Sequence, residues 1–148
     1  MAFTFNHFRI REGLTYFDHS SGPLQTELSL GKFTILPCRD PNGAAIALFN
    51  LSHHEPSEVT HQTVLQCVVF QLDVALEQLE TQRNGLVFIY NMTNSKYSNF
   101  DYDLSQKMLT LLKGNYSPNG YQVVLSHRLT CLQCLPSHII GQICSLTV

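Results

Sequence analysis

The segment GLVFIY (Gly85–Tyr90) restricts the possible fold more than any other part of this chain. It follows the polar turn Gln82-Arg83-Asn84 and is apolar throughout, without the alternation of a strand that has one face in water. Such a strand is stable where helices cover both of its faces, which places it at the centre of a mostly parallel sheet. The polar loop Asn91–Phe100 then lies beyond the strand's carboxyl end, where ligands of such sheets sit.

The flanking segments agree with that placement. KFTIL (Lys32–Leu36) and AAIALFN (Ala44–Asn50) read as strands joined by the turn Arg39-Asp40-Pro41-Asn42-Gly43, hence a hairpin. From Ser57 to Glu80 the residues Val64, Leu65, Val68, Val69, Leu72, Leu76 and Leu79 form one helical stripe. The spacing predicts a single helix of roughly 36 Å, capped by Ser57 and ended at Asn84-Gly85. A further helix starts with Asp101 as cap, turns Leu104, Met108, Leu111 and Leu112 inward, and stops at Gly114. The order is βαβα, an α/β fold. Before it, Gly13, Gly22 and Pro23 allow a short helix ahead of Gly13 and a turn of one near Leu24–Leu30. After it, YQVVL (Tyr121–Leu125) can form one more strand. From Tyr116 to Val148 the only charged side chain is Arg128, and no period is evident past Leu125.

Composition excludes several functions. In 148 residues the charged fraction is 14% and the net charge −2, with no basic cluster, so a nucleic-acid partner is not expected. No apolar run reaches membrane-spanning length, and MAFTFNHFRIREG lacks a signal core. A cytoplasmic setting with reduced thiols follows, and the Asn-x-Ser/Thr triplets at Asn50, Asn91 and Asn115 read as chance.

Chemistry-bearing motifs are few. The six-residue spacing of a phosphatase Cys-x5-Arg loop puts Ala44, Asp73, Ser137 and Ile140 after Cys38, Cys67, Cys131 and Cys134, and none is Arg. There is no Gly-rich phosphate loop and no G-x-S-x-G elbow, so no catalytic residue and no cofactor is assigned. His127, Cys131, Cys134 and His138 make up a zinc-type ligand set, set against ordinary packing of reduced cysteines. His53, His54 and His61 read as surface or cap residues, and Asp101 and Asp103 as acids suited to a helix start. Phe88, Tyr90, Tyr97, Phe100 and Tyr102 either line an apolar pocket or fill the core; spacing favours core.

GKFTIL, DPNGAAIALF and above all ETQRNGLVFIY with LLKG resemble the Sec14-type (CRAL-TRIO) lipid-binding domain, in the form found with tyrosine phosphatases. The likeness covers Gly31 to Tyr116, and HFRIREG resembles the end of the helical segment that precedes such domains. It implies a partial domain at 31–116, a remnant of the preceding helices at 1–30, and a divergent, nearly uncharged tail at 117–148 in place of the family's last strands and gate helix. It further implies a phospholipid or phosphoinositide partner, peripheral contact with intracellular membranes, and Phe49, Phe88, Tyr90 and Met92 as pocket-side residues. A chain cut short in this way would be non-catalytic. It would act as a lipid module, as an interaction fragment, or only as a phosphatase by kinship. An apolar strand left at a sheet edge would make it marginally stable.

Overall fold

The computed structural model describes residues 8–115 and the strand at 121–126, with backbone alone for 113–115 and 121–126. Residues 8–11 form a helical turn that ends at Gly13, whose φ is +69°. Helix α1 (Gly22–Ser29) carries Pro23 in its first turn, where a missing N–H costs nothing. Strands β1 (Phe33–Arg39) and β2 (Ala45–Asn50) form the expected hairpin, with Phe33 opposite Phe49 and Ile35 opposite Ala47. The register slips between Ile35 and Arg39, around Pro37, which has no N–H to give the ladder. At the turn, Asp40 Oδ1 accepts from the amides of Asn42 at 3.0 Å and Ala44 at 2.6 Å, and Gly43 takes φ +84°.

The long helix of the sequence pattern is two helices. Helix α2 (His61–Leu76) starts at Thr60, whose side chain accepts from Thr63 N, whereas Ser57 bonds to Glu55 in the preceding turn. Its 16 residues span about 24 Å. The chain then extends at Gln78 and restarts as α3 (Leu79–Asn84), which Gly85 ends at φ +80°. The stripe runs out there: Val64 to Leu72 are buried, while Leu79 is 57% exposed. Two side chains close the break. Gln82 donates to the Leu76 carbonyl at 2.7 Å, and Arg39 reaches across from the hairpin to Gln78, Glu80 and Thr81.

Strand β3 (Leu86–Asn91) lies parallel to β2 and, on its other side, parallel to β4 (Tyr121–Ser126), giving the order β1-β2-β3-β4. The apolar strand is therefore central, and the possible strand at YQVVL fills the place beside it. Helix α4 (Tyr102–Asn115) connects β3 to β4.

The two crossovers run in the same direction through the sheet. Right-handed connections then put α2 and α4 on one face. One core results, joining Val64, Leu65, Val68 and Leu72 of α2 and Leu104, Met108 and Leu111 of α4 to Ala47, Phe49, Leu86, Phe88 and Tyr90. Among the described residues, helices α2 and α4 pack on this one face. Ile46, Val87 and Ile89 alternate to the other face, where they are buried outside that cluster.

Candidate functional site

The carboxyl end of β3 opens into a small apolar groove of about 140 Å³ lined by Phe88, Tyr90, Met92, Phe100, Ser105, Met108 and Leu109. Period-2 alternation turns Phe88 and Tyr90 to the α4 side, and helical spacing brings Ser105, Met108 and Leu109 over them. Its polar group is a hydroxyl pair: Tyr90 Oη and Ser105 Oγ lie 3.1 Å apart, with Ser105 donating to the Asp101 carbonyl at 2.7 Å. Burial raises the Tyr90 phenol above its ordinary pKa, so it stays a neutral donor.

Three of the four expected pocket residues, Phe88, Tyr90 and Met92, thus meet in one groove. Phe49 stands behind them, fully buried and stacked on Tyr90 with centroids 5.3 Å apart. The loop aromatics divide. Phe100 joins the groove at 44% exposed, while Tyr97 (96%), on the loop after β3 with exposed Lys96, and Tyr102 (63%), at the start of α4, project into solvent.

Beside the groove runs a polar cluster. Asp101 caps α4, its Oδ1 accepting from Leu104 N at 2.9 Å, and its Oδ2 lies 2.7 Å from His61 Nε2 and 4.0 Å from His54 Nε2. Burial works to raise the Asp101 carboxyl, yet the Leu104 amide and His61 together hold it below its usual range. His54 is buried, not a surface residue, and its Nδ1 is 3.3 Å from Lys32 Nζ. Burial first, and Lys32 second, depress His54 to about 4, so it is neutral at physiological pH. Lys32 in turn pairs with Glu27 at 2.7 Å, both side chains 2% exposed. A buried Lys–Glu–His cluster left no sequence signal, because its members lie on three separate elements. Only the pairing of His61 with a helix-capping acid had a trace, in the neighbouring roles as caps.

His53 is exposed and Asp103 sits on the outer side of α4. Among the described residues no group of three or more His, Cys, Asp or Glu is placed to hold a metal, and no helix is long and apolar enough to cross a membrane. The His127, Cys131, Cys134 and His138 set lies outside the described residues, as does most of the 117–148 tail. Of the cysteines described, Cys38 is exposed and Cys67 buried, its thiol pushed up by burial to about 11.

Comparison with known proteins adds an independent line. The CRAL/TRIO domain matches residues 29–131. The human tyrosine-protein phosphatase non-receptor type 9 is 47% identical over 122 residues, which is 82% of this chain and 21% of that protein. The mouse protein of the same name is 47% identical over 117 residues, 79% of this chain and 20% of the relative. The chain thus spans about a fifth of the length of the curated relatives it matches.

Proposed function

The chain belongs to the CRAL/TRIO domain family, and from that premise we propose that it is a non-catalytic, Sec14-type module that binds phospholipid, phosphoinositides among them, and touches membranes peripherally. The observation that carries this reading is the apolar groove at the carboxyl end of β3, with Phe88, Tyr90, Met92, Met108 and Leu109 around one hydroxyl pair. A complete small-molecule site occupies roughly 300–1,000 Å³. At about 140 Å³ the groove takes a segment of an acyl chain and leaves the headgroup at the rim.

Exposed side chains on the loop after β3 and at the start of α4 suit that arrangement. Tyr97 and Tyr102 are amphipathic rings of the sort that settle at a membrane–water boundary, and Lys96 offers an ammonium to a lipid phosphate. Each ring submerged at that boundary brings apolar area out of water at about 25 cal/mol per Å².

Native mass spectrometry of the purified chain, with lipid extraction, tests the reading. A stoichiometric phospholipid is expected, and Leu109→Trp, which fills the groove, is expected to abolish it. In flotation with vesicles of phosphatidylcholine, with and without phosphoinositide, Tyr97→Ala/Tyr102→Ala should lose most of the bound fraction. Lipid-free protein that takes up none from vesicles would end the proposal.

A further inference from the structure

A second cavity, of about 430 Å³, opens between α1, residues 53–60 and the first turn of α2, and shares no lining residue with the groove. Its wall includes Glu27, Lys32, His53, Glu55, Glu58 and Thr63. Acidic residues ahead of a helix are an ordinary complement to its dipole. A buried ion pair in the wall of a cavity of ligand size is not ordinary. Both Glu27 and Lys32 side chains are 2% exposed, and burying such a pair carries a heavy desolvation penalty for each ion.

The hydrogen-bonding capacity of the pair is not used up. Lys32 has three N–H donors. One goes to His54 Nδ1 at 3.3 Å, while Nζ lies 2.7 Å from Glu27 Oε1 as an ion pair whose geometry leaves that buried oxygen without a hydrogen bond. An ammonium only donates, so Nδ1 accepts and the neutral imidazole carries its proton on Nε2. A further N–H of Lys32 is left over from the bond to His54, and the Lys32 side chain lines the cavity. That N–H calls for an oxygen acceptor. The charges call for something else. Lys32 balances Glu27, which leaves Glu55 and Glu58 as unbalanced negative charges on the wall. A free anion is repelled by them, and a neutral polyol gains nothing from them.

We propose that this cavity binds a small organic cation, an amine or quaternary ammonium that also carries a hydroxyl or phosphoester oxygen. The oxygen accepts from Lys32, and the nitrogen sits against Glu55 and Glu58. This chemistry occurs in free amino alcohols and in the headgroups of some phospholipids. It does not rest on the lipid reading, because the two cavities are lined by different residues.

Calorimetric titration of the full chain with choline, ethanolamine, myo-inositol and inorganic phosphate tests it. Choline and ethanolamine are expected to bind with Kd below about 1 mM, and inositol and phosphate not to bind in that range. Glu55→Gln/Glu58→Gln should weaken the amines by about fivefold for each charge removed, with the thermal melt unchanged. Leu109→Trp, which blocks the groove, should leave them unaffected. Competition of free choline by phosphatidylcholine vesicles assigns the amine to a headgroup; lack of competition assigns it to a free metabolite, and either supports the site. Binding by none of the probes, equal binding by all four, or amine binding unchanged in the double variant overturns the proposal.

Discussion

Lys32 and Glu27 are held where a charge is least at home, and the partners around them decide what each substitution does. Lys32 meets Glu27 at 2.7 Å and His54 at 3.3 Å, all three nearly without solvent. Lys32→Met removes one charge and strands the other in the core, which costs about 3–5 kcal/mol. Glu27→Leu/Lys32→Met removes both and is expected to recover most of that loss, which urea melts of the two single variants and the double would show. Additive losses would mean that the ion pair is not the dominant interaction of either side chain. None of this was readable from the residue order. Lys32 opens an apolar strand and Glu27 sits in a short helix, so each reads as a surface charge; only the fold brings them together. His54 misled for the same reason, since it follows an exposed His53 in a polar stretch. By contrast, Asp101 was legible as a cap, because capping depends on the three residues that follow it.

At the scale of elements, local chemistry was read well where the signal is short. The turn Asp40–Gly43 forms as its residues dictate, and Gly43 alone of the Asn42-Gly43 pair takes positive φ. Gly43→Ala would adopt φ +84° against preference and place its Cβ 2.5 Å from Asn84 Nδ2. The backbone part alone costs about 1–2 kcal/mol. Gly43→Ala/Asn84→Ala should regain the steric part and keep the backbone part, so its melting temperature falls between those of the native chain and Gly43→Ala. A double variant no better than the single would place the whole cost in the backbone. The helix boundaries were read less well. A stripe from Val64 to Leu79 continues in sequence across Glu77-Gln78, and nothing local says that Arg39 will arrive from the hairpin and Gln82 will close the Leu76 carbonyl. Long-range contacts made that break visible only in three dimensions. The same holds for the face of β3: both faces are apolar in sequence, and it is the direction of the crossovers that turns Phe88 and Tyr90 to the helices.

For the molecule as a whole, the polar cluster links α1, the start of β1, the turn after β2 and the N-termini of α2 and α4, so its protonation bears on the entire fold. His54 is a buried member whose pKa is pushed well below its ordinary value. Lys32, His61, Asp101 and Glu55 all act on it: the first two disfavour its charged form and the carboxylates favour it, while burial outweighs them all. Its folded pKa, about 4, lies below the ordinary 6.5, so between those values the unfolded chain takes up a proton that the native chain refuses. Stability is therefore complete above about pH 6.5 and declines as pH falls toward 4, by up to about 3 kcal/mol from this residue alone. Asp101 and Glu12, both held below the usual carboxylate range, extend the decline to lower pH. Urea midpoints taken from pH 7.5 to 4.5 should fall steadily for the native chain. His54→Gln keeps an acceptor for Lys32 but has nothing to titrate, so its midpoints should be close to flat over the same interval. Parallel slopes for the two proteins would mean that the pH dependence arises elsewhere and that His54 is protonated in the native chain as readily as in the unfolded one.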